Sequence, residues 1–389
     1  VYGDRRRAPL RLAALINGTA SHLVEFDDIF RDAIYHPGSP TIAAAIAAAQ
    51  ERGASGELLL RAIVVGYEIS TRIGVAVNPA HYRFWHTTGT VGTFGAAAAV
   101  GTVLGLDSKQ MAHALANAAT MAAGLQQAFR SDANSKPLHA GHAAEAGALA
   151  AMLAGEGFTG ALDALEGEAG FGAALGGKPD WSRATADLGR RYNVTAMTFK
   201  NHGCCGHAFA AIDGALLLAK RHGLGPENIR AVRVGSYRAA LEVAGMRDPR
   251  TAFQGKFSVP YVVASALVHG SVRLDAFAPK RLFDPPTRAL MARLTFELDA
   301  EAEAAFPGRR SAMVEIETAD GQRFRHRQLH RKGDPEEPLS DAELEAKFHE
   351  LAVPVLGRTK AARLLAEIEA IDGAKRVGLA PAFAVGSGR

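Results

Sequence analysis

The sequence predicts a mainly α fold with an α+β section inserted between two helical stretches. Three observations predict it. The first half is alanine-rich and places apolar residues three and four apart. After residue 190, short segments alternate apolar and polar residues instead. From Ser340 the helical spacing returns behind a capping-box start, Ser340-Asp-Ala-Glu343.

Taken in order, helices are expected over Leu10–Asp27, Thr41–Glu51, Gly56–Ile73, Val91–Val103, Ser108–Ala123, Ala140–Ala154 and Leu162–Leu165. Gly53-Ala-Ser-Gly56 and Gly105-Leu-Asp107 break the pattern before new starts. Small residues over 43–49 and 95–100 suit close helix–helix packing, and these runs read mostly as core. Ala231–Tyr237 and Ser311–Thr318 alternate as strands. Asp320-Gly321 then turns the second strand into Arg323-Phe-Arg-His326 as a hairpin. Ala208–His222 and Tyr261–His269 read as helices, so this section is expected to be α+β with a small antiparallel sheet. Lys360–Ile371 closes the helical pattern, Asp372-Gly373 stops it, and Val377–Arg389 reads as a loosely held tail.

At about 100–200 residues per domain, a chain of 389 residues is expected to form two domains. Its 44 Lys+Arg and 40 Asp+Glu leave a net charge of +4. That balance suits an enzyme with anionic substrates and does not call for nucleic acid. Two cysteines exclude a disulfide-stapled scaffold. No run approaches the roughly 18 apolar residues of a membrane span, so no membrane contact is expected. Val1–Arg7 is positively charged, but the apolar run behind it is short and interrupted by Arg11. A signal peptide is therefore not expected, and the cytoplasm is the expected compartment.

Five clusters set polar residues between apolar helical runs. Glu25-Phe-Asp-Asp28 followed by His36-Pro-Gly38 joins carboxylates to an imidazole. Together they can move protons or bind a metal; the plainer reading is a helix end with solvated acids. His81-Tyr-Arg83-Phe-Trp-His86-Thr-Thr-Gly-Thr90 leads into a small-residue helix whose N-terminus favours an anion. The plainer reading there is an aromatic-packed connection, and no dinucleotide or phosphate-loop fingerprint is present. Ser135-Lys136-Pro-Leu-His139-Ala-Gly-His142 offers a lysine to a substrate carboxylate, or a solvated lysine with helix-surface histidines.

The fourth cluster is the densest. Phe199-Lys200-Asn-His202-Gly-Cys204-Cys205-Gly-His207 holds both cysteines, two histidines and a lysine. Adjacent cysteines chelate metal poorly, whereas a thiol beside lysine and histidine can have a depressed pKa and exchange protons. Proton transfer or substrate binding is the favoured reading, ahead of structural packing and of metal. The fifth pairs Tyr237, at a strand end, with Lys256-Phe-Ser-Val-Pro-Tyr261. Such a tyrosine can donate to an oxyanion, or can simply be a half-buried strand end.

Taken together these residues resemble the MmgE/PrpD family. The resemblance is carried by Asn17-Gly-Thr-Ala-Ser-His22, Glu25-Phe-Asp-Asp28, His36-Pro-Gly38, His86-Thr-Thr-Gly-Thr-Val-Gly92, Lys136-Pro-Leu-His139-Ala-Gly, Leu165-Glu-Gly167 with Gly170-Phe-Gly172, and Lys256-Phe-Ser-Val-Pro-Tyr261. It implies a large all-helical domain formed by both chain ends, 1–196 and 334–389, with an α+β lid domain inserted over 197–333. It also implies a homodimer and a small anionic carboxylate substrate, with no metal and no organic cofactor. Known activities of the family are 2-methylcitrate dehydration, cis-aconitate decarboxylation and iminodisuccinate epimerisation, each at a carbon next to a carboxylate.

The cis-aconitate decarboxylase pattern points here to Glu25, His36, His86, Lys136, Lys200 and Tyr237. The sequence departs from it in four ways. Glu25 replaces an aspartate, Ile29 a hydroxyl residue, Cys205 a proposed catalytic histidine, and Lys200-Asn-His-Gly the usual Lys-x-Tyr-Pro. These departures count against decarboxylation. The expected function is a lyase or isomerase that abstracts a proton beside a carboxylate, dehydratase-like first, with an iminodisuccinate-type epimerase and a non-catalytic dicarboxylate-binding relative as alternatives. The expected catalytic residues are His86, Lys200, Cys205, His207 and Tyr237. Glu25, Asp28, His36, Arg83, Lys136 and His139 are expected to bind substrate, with Arg130 as a further possible carboxylate holder.

Overall fold

Long runs of alanine and glycine lack bulk, so helices made from them can approach closely. The computed structural model describes residues 1–3, 6–129 and 134–378. Arg130 and the end of the chain from residue 379 lie outside the described residues. The chain divides into two compact units: Val1–Leu23 with Asp27–Met197 and Ser340–Arg389, and Val24–Phe26 with Thr198–Leu339. The first is helical and the second is α+β. The protein is mainly helical with one four-stranded sheet among the described residues.

The helical unit begins with α1 (Leu10–Leu23), α2 (Gly38–Arg52), α3 (Gly56–Val77), α4 (Thr87–Leu104), α5 (Ser108–Met121), α6 (Ser135–Gly155) and the short α7 (Ser182–Thr185). α4 is buried along nearly its whole length, as expected of a helix apolar on every side. α2, α3, α5 and α6 pack around it, and α1 packs on α2 and α6. The close approach depends on α6. A Cβ at Gly147 would strike the Thr93 carbonyl oxygen and lie 2.6 Å from Ala96 Cβ on α4. One at Gly141 would strike the Leu15 carbonyl oxygen on α1. These contacts bring the C-terminal end of α1 and the N-terminal ends of α4 and α6 together.

Two expectations in this unit are corrected. α1 ends at Leu23 rather than Asp27, because Glu25 takes a left-handed φ of 61° that no helix continues through. Leu162–Leu165 is a run of turns rather than a helix. One isolated turn gains too little to offset its nucleation, and Gly160 and Gly167 flank it.

The α+β unit contains α8 (Phe209–His222), β1 (Ile229–Ser236), α9 (Arg238–Ala244), α10 (Ala252–Lys256), α11 (Val259–His269), α12 (Pro279–Leu282), α13 (Pro285–Met291), β2 (Leu294–Leu298), α14 (Ala300–Ala305), β3 (Ala312–Thr318) and β4 (Arg323–Gln328). The sheet order is β2-β1-β3-β4. β3 and β4 form the expected hairpin, Glu317 opposite Arg323, with Gly321 at φ 84° in the turn. The sheet is mixed rather than antiparallel: β2 runs parallel to β1, with Val232 opposite Leu294. A parallel neighbour needs a crossover, and the chain supplies one through α9–α13. β2 is a short, half-exposed edge strand with a weak pattern, so the alternation search passes over it. α8 and α11 cover the sheet, and their apolar faces join Val232, Val234, Val314 and Ile316 in one core.

The helical unit closes with α15 (Asp341–Leu356) and α16 (Arg358–Glu369). Ser340 and Glu343 form the expected capping box. The start of the tail departs from expectation. Val377 is buried, and its N–H donates to the Ala54 carbonyl at 2.8 Å. No helix among the described residues is long and apolar enough to cross a membrane.

Candidate active site

In the helical unit the helix ends gather four imidazoles. His22 lies in the last turn of α1, His36 just before α2, His86 at the cap of α4 and His139 in the second turn of α6. The His86 and His139 Nδ1 atoms are 3.0 Å apart, so one donates and the other accepts. His22 stacks on His86 with ring centroids 5.7 Å apart, and His36 lies 5.1 Å from His22. Phe129 meets His86 edge-on at 4.8 Å, and the buried Lys136 ammonium stands 5.2 Å from the same phenyl ring.

The acids of this loop are not solvated. Asp27 Oδ2 lies 2.5 Å from His22 Nδ1, accepts from Ser39 Oγ at 3.2 Å and is 3.5 Å from His36 Nδ1. Asp28 accepts from the Tyr67 hydroxyl at 2.7 Å and the Gly38 amide at 3.0 Å, which ties the loop to α2 and α3. His36 Nδ1–H donates to the Asp28 carbonyl at 2.8 Å. The hydroxyls at the start of α4 are largely committed within the protein. Thr88 accepts from the His36 amide and Thr90 pairs with His81 Nε2. Arg83 lies outside the cluster, exposed, with its guanidinium 5.0 Å from the Phe84 ring.

Burial sets the protonation of these rings. It pushes His86 well below the usual imidazole range, helped by His22, Lys136, His139 and His36. His139 falls to about 4, from burial and then from His22, His142 and Lys136. Both are neutral at pH 7, as a proton acceptor must be. His81, fully buried nearby in sequence, also falls to about 4 through burial.

A pH dependence follows. An unfolded histidine titrates near 6.5, so between pH 6.5 and 4 the unfolded chain binds protons that the folded chain refuses. The stabilisation is complete above pH 6.5 and is lost as pH falls toward 4. His81 alone contributes about 3 kcal/mol over that window. Urea unfolding at stepped pH is expected to show stability falling steadily below pH 6.5, with a shallower slope for His81→Gln. A flat profile down to pH 4 would contradict this.

The α+β unit holds the other expected residues. Lys200 and Glu25, both buried, pair at 3.1 Å. Lys256 Nζ reaches the Val24 carbonyl at 3.5 Å. His207 Nδ1 and the Tyr237 hydroxyl are 2.7 Å apart, with Tyr237 placed immediately after β1 as its strand-end position predicts. Burial, then Arg310 and Arg331, lowers His207 to about 3; burial raises Tyr237 to about 12. Each is therefore neutral, and the pair shares one hydrogen bond. His202 is a structural histidine, held by Asp213 at 2.9 Å.

Cys204 and Cys205 are both free thiols. Cys204 is sealed in the core, and burial pushes its thiol well above the usual range, followed by the effect of Cys205. The depressed thiol expected from nearby lysine and histidine is thus not realised at Cys204. Cys205 is half-buried, and its amide donates to the Lys256 carbonyl at 2.9 Å. No group of three or more His, Cys, Asp or Glu among the described residues could hold a metal ion.

Sequence reasoning passed over His22, Asp27 and Arg310 as site residues. His22 and Asp27 stand in quoted motifs, and their five-residue separation is closed by the turn at Glu25. Arg310, buried and felt electrostatically by His207, carries no local signal in the sequence.

Residues 1–184 match the MmgE/PrpD N-terminal domain and residues 202–372 the MmgE/PrpD C-terminal domain. The cis-aconitate decarboxylase-like protein oryM of Aspergillus oryzae is 30% identical, over 94% of this chain and 80% of its own length. Cis-aconitate decarboxylase of Homo sapiens is 29% identical, over 90% of this chain and 74% of its own. That of Aspergillus terreus is 27% identical, over 90% and 76%. With both domains matched in order along most of its length, this chain belongs to the MmgE/PrpD family.

Proposed function

We propose that the chain is a lyase that acts on a small polycarboxylic acid by proton transfer at a carbon beside a carboxylate. The observation that carries this reading is the group of buried imidazoles in the helical unit, with the His86 and His139 Nδ1 atoms 3.0 Å apart and both rings neutral. A neutral imidazole offers a ring-nitrogen lone pair to a proton, the state a general base requires. Lys136, buried beside them, supplies positive charge for a substrate carboxylate. Such charge is needed where the carbanion's negative charge develops. The relatives' names support a carboxylic acid as substrate and make loss of CO2 from cis-aconitate the first reaction to test. Loss of water from 2-methylcitrate asks the same of the protein, because that bond also breaks beside a carboxylate.

The test incubates the purified chain with cis-aconitate, 2-methylcitrate and an iminodicarboxylate in D2O. CO2 release, alkene absorbance and deuterium uptake are followed together. Release of CO2 or water from one acid is expected. Deuterium in recovered substrate with neither product would replace the lyase by an epimerase, and no change in any signal would leave a binding protein. His207→Ala in the same assay reports whether the His207–Tyr237 pair takes part.

A further inference from the structure

We infer that His22, oriented by Asp27, is the imidazole that exchanges a proton with the substrate carbon; this rests on the lyase reading above and assigns its base. His22 is fully buried, with Nδ1 2.5 Å from Asp27 Oδ2. A carboxylate accepts, so Nδ1 carries a hydrogen, and Nε2 is the ring nitrogen left to exchange a proton. Nε2 has no hydrogen-bond partner among the described residues. His202 shows the same pattern, with Nε2 on Asp213 and Nδ1 without a partner among the described residues; what sets His22 apart is that its ring lies against those of His36 and His86, 5.1 and 5.7 Å away.

The other three rings have spent their Nδ1 atoms differently. His86 and His139 face one another, and His36 donates to a backbone carbonyl. Only His22 has Nδ1 directed at a carboxylate 2.5 Å away. Asp27 is fixed in turn by Ser39 Oγ at 3.2 Å. An aspartate that sets the tautomer and stabilises the imidazolium formed at the far nitrogen is the logic of catalytic triads.

In a dehydration, the Nε2 lone pair takes the proton from the carbon beside the carboxylate. The electron pair left behind forms the double bond, and hydroxide leaves as water, protonated by the same imidazolium. In a decarboxylation, the bond to the carboxylate carbon breaks and CO2 departs. For this route Nε2 first takes a proton from water; the electron pair left on carbon then takes that proton, which returns the ring to its starting form.

His22→Asn tests this, because an asparagine amide can replace the Nδ1–H bond to Asp27 but has nothing at Nε2. On the best acid of the panel, kcat is expected to fall about 10²–10⁴-fold with the unfolding midpoint unchanged. Asp27→Asn, which alters a positioning residue, is expected to lower kcat with little change in KM. A kcat for His22→Asn within about threefold of the unmutated protein would overturn the assignment. A second measurement, 15N-histidine NMR of the unmutated protein, covers a variant that does not fold. His22 is expected as the Nδ1–H tautomer, with its Nε2 resonance moving when tricarballylate is added. The Nε2–H tautomer, or no movement, would overturn the assignment. If the unmutated chain turns over no acid, the lyase reading fails on its own, and the NMR result decides whether His22 still belongs to a carboxylate site.

Discussion

Replacing Lys200 by methionine is expected to cost the fold about 3–5 kcal/mol, the usual penalty for leaving a buried charge without its partner. Lys200 is 1% exposed and Glu25 6% exposed, and they meet at 3.1 Å. Burying either ion alone forfeits its hydration without the compensating attraction. Urea unfolding of Lys200→Met, Glu25→Leu and the double variant measures the coupling. The double variant is expected to recover much of the loss, because two apolar side chains of similar volume can replace an ion pair at little net cost. If Lys200→Met falls within about 0.5 kcal/mol of the unmutated protein, the range of ordinary surface substitutions, the pair does not act as a buried ion pair.

The pairing also bears on substrate binding. A lysine 3.1 Å from a carboxylate already has much of its charge answered. Lys136 stands in the helical unit, with its ammonium 5.2 Å from the Phe129 ring. The two lysines look alike in the sequence, each beside a histidine-bearing motif. Glu25, the partner of Lys200, lies 175 residues away along the chain, where the sequence does not show the pairing.

The helical unit was largely legible because its signals are local. Ser340 with Glu343 marks a helix start, and the small residues of α4 and α6 mark close packing. The hairpin was legible for the same reason, through Asp320-Gly321 between alternating runs. β2 was not, because an exposed edge strand needs little hydrophobic alternation and its partner β1 lies across a long crossover. At the site, the residue types were visible and their pairings were not. His86 and His139 are 53 residues apart, and no periodicity links them. His22 and Asp27 are close in sequence, but nothing local shows that Glu25 reverses the chain to join them. Cys204 departs from its reading for a physical reason. Proximity to lysine argues for a lowered value at Cys204, but complete burial outweighs it.

Activity should depend on the imidazole group more steeply than on any other feature of the helical unit. His86 touches three of the cluster's rings at once, stacking on His22, hydrogen-bonding His139 and meeting Phe129 edge-on. Its removal interrupts the group without changing any charge at pH 7, because burial keeps the ring neutral. His86→Asn keeps a polar side chain toward His139 and deletes the far ring nitrogen, which separates lost chemistry from lost packing. The most direct test is kcat/KM of the unmutated protein and His86→Asn on the acid turned over fastest. The imidazole account predicts a loss of about 10²-fold, the cost of misplacing a neighbouring reactive group by about 1 Å, because His86 stacks on His22 and hydrogen-bonds His139, with unfolding unchanged. Equal kcat/KM for the two proteins would contradict it.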